Sequence, residues 1–555
     1  MKRYIKFFAV LIFMVICKSS GAENFIPEQP VIHISEIKQG MQGYILTVLK
    51  GTEPVRLPVK VISILSQKPG TNMRHAILIK FLGKNKLAQG MSGSPLYIRN
   101  KLAGAVRSGW ENSDQSLALV TPIDSMSAVF MNEGIKVSTL TLSGMNQFSK
   151  LSDALGVDIS QGISMNMNPQ NIQNYYFKPG DAISALLVWG DVELSAAGTV
   201  TATSKDGKFL AFGHEFLNRG NSLYPSARTY VHETVFSNVF PFKLASPIFI
   251  NGTVTQDRET AIAGKAGYFP PSFSAELIFK NLDTNKENKY KFRVVSDEFL
   301  TAKLLEGVFT GLSAEAWGRK GQGTMSVNLK IEGKNVAKGW TRKDIFYSDN
   351  NILEEAFKDT IEIINSYLTQ PFAETMPTGF TLTVEASQKP RILKIEEINT
   401  VESAKPGEEI EVRVKLRGWR TKPTEKKFML KIPENASGIA EIVVRGGISE
   451  PLQQIALNEG LKSIDSVERM LTEFKAADAN NELILELATD TTAEDLKNAI
   501  ARKNSGFNPT LDLLPEETEF LSETKTRRIK EGTLKIFSSE YFIDGMMKKI
   551  IHVDK

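Results

Sequence analysis

Gly90-Met91-Ser92-Gly93-Ser94-Pro95-Leu96-Tyr97-Ile98-Arg99-Asn100-Lys101-Leu102-Ala103-Gly104-Ala105-Val106 is the stretch of this chain that carries most information. Two apolar runs, Ser94 to Ile98 and Leu102 to Val106, flank a tight turn at Arg99-Asn100-Lys101, which is a short-hairpin pattern. Ahead of the hairpin a serine stands between glycines. A nucleophilic serine needs a tight turn that projects its hydroxyl, N–H groups facing the same point, and no neighbouring bulk; glycine permits such a turn. The spacing fits a glycine-rich hairpin entry equally well.

Around that stretch the pattern is short strands and turns. Pro58 to Leu65 and His75 to Phe81 are β-branched apolar runs bounded by Pro, Gly and Asn, so residues 30–130 read as a small β-rich unit. Thr121-Pro122-Ile123-Asp124 predicts a helix start with a threonine cap. Residues 131–180 are polar and poorly patterned, as in a linker or long loop. A second β-rich block covers 181–345, with a hairpin from Val192–Thr203 to Phe209–Phe212 across Asp206-Gly207. A helical connector follows at 346–376, its apolar stripe being Leu353, Phe357, Ile361, Ile364 and Leu368, with Pro371 beyond its end.

Residues 377–447 suggest a β-sandwich module, because Glu409 to Leu416 alternates strictly between charged and apolar side chains. The remaining stretch, 448–555, reads as mixed α/β. Ile464, Val467, Leu471 and Phe474 have helical spacing, Leu483 to Leu487 reads as a strand, and Thr492 with Asp495 forms a capping pair. The expected fold class is therefore mainly β.

Length and composition limit the functional classes. A chain of 555 residues implies several cores, and 42% hydrophobic with 23% charged residues excludes a disordered, collagenous or coiled-coil protein. The formal charge of +4 resides in residues 1–22, where Lys2, Arg3, Lys6 and Lys18 face no acid; the rest balances 63 bases against 63 acids. Bulk charge thus gives no support to nucleic-acid binding. Residues 1–22 have the basic start, apolar run and small residues of a signal peptide, which predicts export to the periplasm or beyond the cell, with no membrane span after signal removal.

Cys17, the only cysteine, could instead be a lipidation site, although Ile16 is bulky for the position before it. Cleavage after Ala22 would leave no cysteine, and with it no disulfide, zinc thiolate or thiol nucleophile. With no phosphate-binding glycine loop, HExxH helix or dinucleotide fingerprint, no metal or other cofactor is expected.

A serine nucleophile needs a base, and the chain has five histidines. His33, His75, His232 and His552 sit in or beside strand-like runs and read as structural. His214 directly follows a glycine at the end of the apolar run Leu210-Ala211-Phe212, which places an imidazole at a sheet rim.

The run GMSGSPLYIRNKLAGAV, followed by TPIDSM, resembles the C-terminal part of the SpoIVB peptidase domain, and AAGTVTATSKDGKFLAFGHEF at 196–216 resembles its opening part. The resemblance covers roughly residues 35–280. It implies a chymotrypsin-like or related β-barrel serine peptidase with the two halves in permuted order, acting on a protein or peptide substrate. Ser92 then matches the nucleophile and His214 the general base, and the amides of Gly90 and Ser92 would form the oxyanion hole.

Two departures stand out besides the reversed order. The family has an acid upstream of its serine motif, whereas Ile79 to Asn85 contains none; it has a threonine after Gly-Ala-Val, whereas this chain has Arg107. Asp191 and Asp257 are candidate orienting acids, and Glu259 lies in the same block. An inactive relative that binds protein in the envelope is the alternative.

Ser94 directly precedes Pro95 and should enter the strand, so Ser92 is the expected nucleophile of the two. Replacing Ser92 by Ala should abolish labelling by a serine-directed fluorophosphonate and leave the melting temperature nearly unchanged. Equal labelling of the variant would reject the assignment.

Overall fold

The hairpin expected at Ser94–Val106 forms, and it closes a barrel. In a computed structural model the described residues are 25–65, 75–110, 113–130, 140–143, 145, 151–152, 155, 159–161, 172–237, 241–447, 465–489 and 528–554. Residues 1–22, read from the sequence as a signal peptide and including Cys17, and the expected capping pair Thr492 and Asp495 lie outside them. Strands β1 (Gln42–Thr47), β2 (Val55–Leu65), β3 (Ala76–Phe81), β4 (Pro95–Ile98), β5 (Lys101–Ser108) and β6 (Leu117–Pro122) form a closed barrel in the order β1-β2-β3-β6-β5-β4. Arg99 and Asn100, at φ 52° and 61°, make the left-handed turn between β4 and β5 that suits a twisted hairpin. Ile45, Val59, Ile77, Ile98 and Val120 are among the side chains that fill the interior.

The helix predicted with Thr121 as its cap starts one residue later than expected. Thr121 remains in β6, and the helix Ile123–Ser127 has Pro122 at its cap position. The Thr121 hydroxyl is drawn away from capping because it donates to the Gly213 carbonyl at 2.6 Å.

The second block contributes β7 (Leu140–Ser143), β8 (Ile159–Gln161), β9 (Ala182–Gly190), β10 (Glu193–Thr203), β11 (Lys208–Ala211), β12 (Gly220–Val235), β13 (Phe242–Arg258) and β14 (Ala261–Ala266). The hairpin across Asp206-Gly207 joins β10 to β11. Because β9 pairs with both β12 and β10, the pairings β9-β12-β13-β14-β11-β10 close into a ring beside the barrel. Eight of the nine residues of β9 are buried, which is why that strand reads as a continuous apolar run. The polar region 131–180 is more than a linker: β7 pairs with β10, and Leu151 packs against Gly307.

The sheet continues through β15 (Ser272–Asn281), β16 (Lys286–Val295), β17 (Gly323–Gly333), β18 (Thr341–Ser348) and β19 (Pro377–Ser387). Helices Thr301–Trp317 and Ile352–Thr369 pack on it, the latter through the expected stripe.

The sandwich boundaries differ from the sequence reading. β19 belongs to the large sheet, where it pairs with β15 and β17. The sandwich begins at β20 (Ile392–Asn399) and includes β21 (Ser403–Ala404), β22 (Glu409–Gly418), β23 (Thr424–Lys431) and β24 (Gly438–Arg445). β25 (Glu482–Ala488), β26 (Leu534–Ser538), β27 (Phe542–Asp544) and β28 (Met546–Val553) return to complete its two sheets around one core. Five strands could not cover both faces of that core alone. The helix Val467–Ala476 leaves the sandwich and packs against the large-sheet core through Leu471 and Phe474. Among the described residues no helix is long and apolar enough to cross a membrane.

The barrel and the ring share a small core in which Tyr97, Leu102 and Ala105 meet Ala202, Leu210 and Ala263. No exposed volume remains at Ala263, so Ala263→Leu should destabilise the chain by about 1–3 kcal/mol through overpacking. Urea unfolding measures this. A change below about 0.5 kcal/mol, the range of an ordinary surface substitution, would contradict a packed joint there.

Candidate active site

The Gly90–Ser94 turn lies where the barrel meets β10. Its two glycines adopt φ 85° and 88°, conformations that side chains rarely tolerate. At Gly93 space is the stricter limit, since a Cβ would come 2.0 Å from the Thr199 carbonyl oxygen and 2.4 Å from the Phe212 nitrogen. The turn can therefore sit directly on β10.

β10 takes the turn's carbonyls. The Thr199 hydroxyl donates to Gly90 O at 3.0 Å, the Thr199 amide to Ser92 O at 2.8 Å, and the Thr201 hydroxyl to Gly93 O at 2.8 Å. The amides divide into two sets. Met91 donates to Ala88 O, Gly93 to Val106 O and Ser94 to Met91 O. The amides of Gly90 and Ser92 have no acceptor among the described residues, and both residues are part-exposed. Their own peptide units are fixed from the carbonyl end, Gln89 O by the Lys243 amide and Met91 O by the Ser94 amide, which leaves those two N–H groups for a ligand.

His214 is held at the end of β11 by a strained corner. Phe212 has φ 68°, an unfavourable region for a bulky side chain, and Gly213 has φ 69°. The corner packs onto the end of β5, where a Cβ on Gly213 would come 2.7 Å from Val106 O. The His214 Nδ1–H donates to the Glu215 carbonyl at 2.5 Å. Because a carbonyl only accepts, this contact leaves the Nε2 lone pair available to accept a proton. Burial, reinforced by the charge of Arg107, pushes the imidazole down to about 4, so the ring is neutral across the physiological range.

Ser92 and His214 thus converge on the Val106–Arg107 end of β5. The Ser92 hydroxyl donates to the Arg107 carbonyl at 3.4 Å and not to the His214 ring. The Arg107 guanidinium lies within electrostatic reach of both His214 and Glu215. Burial pushes Glu215 up to about 7.

Neither candidate acid orients the ring. Asp257 accepts the amides of Phe216 at 2.6 Å, Leu217 at 2.7 Å and Arg219 at 3.3 Å, and so clamps the loop after His214. Asp191 accepts the Lys291 amide at 2.7 Å, between β9 and β16. The orienting group is a main-chain carbonyl, which no side-chain inventory lists.

The other histidines have local partners or positions: His33 pairs with Asp124, His232 bonds the Ser246 hydroxyl, and His75 and His552 are exposed. Sequence reasoning missed Thr199, Thr201 and Lys243. The alternation Thr199, Thr201, Thr203 is a usable signal for one hydroxyl-bearing strand face. Lys243 has no such signal. Its Nζ is buried against the hydroxyls of Thr47 at 2.7 Å and Thr199 at 3.3 Å, and burial pushes it down to about 7.

No protein-family model, curated protein or solved structure matches this chain.

An NMR titration should find the His214 ring neutral at pH 5.5 and protonating near 4, well under the ordinary value of about 6.5. Arg107→Met removes a repelling charge and should move that midpoint upward. A midpoint at the ordinary value in the wild-type chain would contradict the buried ring.

Proposed function

We propose that this chain is an exported serine endopeptidase of the SpoIVB type, with Ser92 as nucleophile and His214 as general base. The observation that carries this reading is the pair of unpartnered amides at Gly90 and Ser92, beside a serine hydroxyl and an imidazole of suitable tautomer.

In the reaction, Ser92 Oγ would leave the Arg107 carbonyl and hand its proton to Nε2 of His214. Oγ attacks the peptide carbonyl carbon as Nε2 takes its proton. The carbonyl oxygen becomes an oxyanion held by the two amides. Collapse breaks the C–N bond, and the leaving amine takes the proton back from Nε2. Water then attacks the acyl-enzyme with the same base, and Ser92 Oγ leaves with the proton.

A neutral base of low pKa is always in its active form but accepts the proton less readily, so the same site predicts a slow enzyme. Two observations favour the second reading, a peptide-binding relative without catalysis: the Ser92 hydroxyl rests on Arg107 O, and Nδ1 meets a carbonyl instead of a carboxylate.

Fluorophosphonate labelling and peptide cleavage separate the two. Labelling should already be substantial at pH 5.5 and show no step near 6.5, because the base deprotonates near 4. His214→Gln should remove most of the rate. Peptide binding without cleavage or labelling from about pH 5 to 9, the span over which histidines titrate, would establish the binding reading instead.

A further inference from the structure

We propose that Lys243 is a positioning residue for the oxyanion site, gripping both peptide units that flank Gly90; the inference rests on the peptidase reading above. Its backbone amide donates to Gln89 O at 2.9 Å, and so fixes the peptide unit whose other end is the Gly90 N–H. Gln89 is held from its own amide as well, which donates to Pro241 O at 2.9 Å. Its side-chain stem covers the turn: a Cβ on Gly90 would meet Lys243 Cδ at 3.1 Å.

The far end of the same side chain reaches the next peptide. Nζ donates to Thr199 Oγ1 at 3.3 Å, and that hydroxyl passes its own proton to Gly90 O at 3.0 Å. A chain of donors, ammonium to hydroxyl to carbonyl, therefore holds the Gly90 carbonyl away from the place the oxyanion would occupy. Thr47 anchors Nζ from the barrel side at 2.7 Å. Rotation of either peptide would remove the Gly90 donor or put a carbonyl oxygen in its place.

Lys243 is an expensive way to fill this space. It is 5% exposed, and among the described residues no carboxylate pairs with it. Glu233, on the neighbouring β12, is exposed and pairs with Lys50 at 2.8 Å. Burying an amino group on two hydroxyls, with its protonation opposed by that burial, costs more than burying a methionine of similar length. Space-filling alone thus does not account for a lysine, whereas a hydrogen-bonded grip on the turn does.

The test compares Lys243→Met, Thr199→Val and Thr199→Ser by the rate of fluorophosphonate labelling, in which Oγ attacks phosphorus and fluoride leaves. A second readout is peptide affinity, measured with the same substitutions in a Ser92→Ala background. Losing an oxyanion donor slows reactions by about 100- to 1,000-fold, so a loosened donor should cost about 10- to 100-fold in labelling rate. Peptide affinity should change less than about 2-fold, because the ground state does not use the hole. Thr199→Ser should recover most of the rate lost in Thr199→Val.

A wild-type labelling rate in folded Lys243→Met, or a Thr199→Ser as slow as Thr199→Val, overturns the inference. If Lys243→Met fails to fold, the two Thr199 variants decide. An unlabelled wild-type chain overturns the peptidase reading and this inference with it. A labelled wild type with unaffected variants overturns the inference alone.

Discussion

The contact on which the site depends is the seating of a side-chain-free turn against β10. Gly93 leaves no room for even one carbon between the barrel and Thr199, and the strand uses that closeness to take three carbonyls of the turn. A peptide unit has two polar ends pointing opposite ways. The units whose carbonyls β10 takes carry the amides of Met91, Gly93 and Ser94, whereas the amides of Gly90 and Ser92 lie on the units whose carbonyls, Gln89 O and Met91 O, accept from the amides of Lys243 and Ser94. Three of the turn's amides are paired inside its own hydrogen bonds or with β5, and the two that are not belong to the residues a serine peptidase would need.

Burial then sets the character of the base. In the Ser-His-Asp arrangement a carboxylate orients the imidazole and also stabilises the imidazolium that forms. Here a carbonyl does the orienting, and the nearest positive charge, Arg107, opposes protonation. Orientation and charge stabilisation are thereby separated: the ring has the useful tautomer but little help in holding a proton. Asp257, the buried acid closest in sequence logic to the missing partner, spends its oxygens on the amides of the following loop. It controls where His214 stands and not how basic the ring is.

Legibility in the sequence followed the range of the interactions. The barrel hairpin, the Asp206-Gly207 hairpin and the helix Ile352–Thr369 depend on local periodicity and turn residues, and all three were readable. The sandwich boundary was not, because β19 is apolar and alternating whichever sheet it joins; its partners lie about a hundred residues earlier in one case and fifty in the other. Glycines and a serine at 90–93 mark the turn in the sequence. The strand that holds it, the carbonyl at Glu215 and the lysine beneath Gly90 are tertiary contacts between residues whose types announce nothing. Acidic residues were sought for His214 because they are the visible candidates, and the main chain supplied the contact.

The closed barrel has one further consequence, in the order of synthesis. Its strands are all drawn from residues 42–122, so every pairing that completes it is available once that segment has left the ribosome. The imidazole and the strand that shapes the turn come about a hundred residues later, which at ordinary translation speeds is several seconds or more. During that interval the Ser92 hydroxyl has neither the imidazole nor the strand that shapes its turn. On the peptidase reading the site would stay incomplete until the second half of the chain has closed on the first.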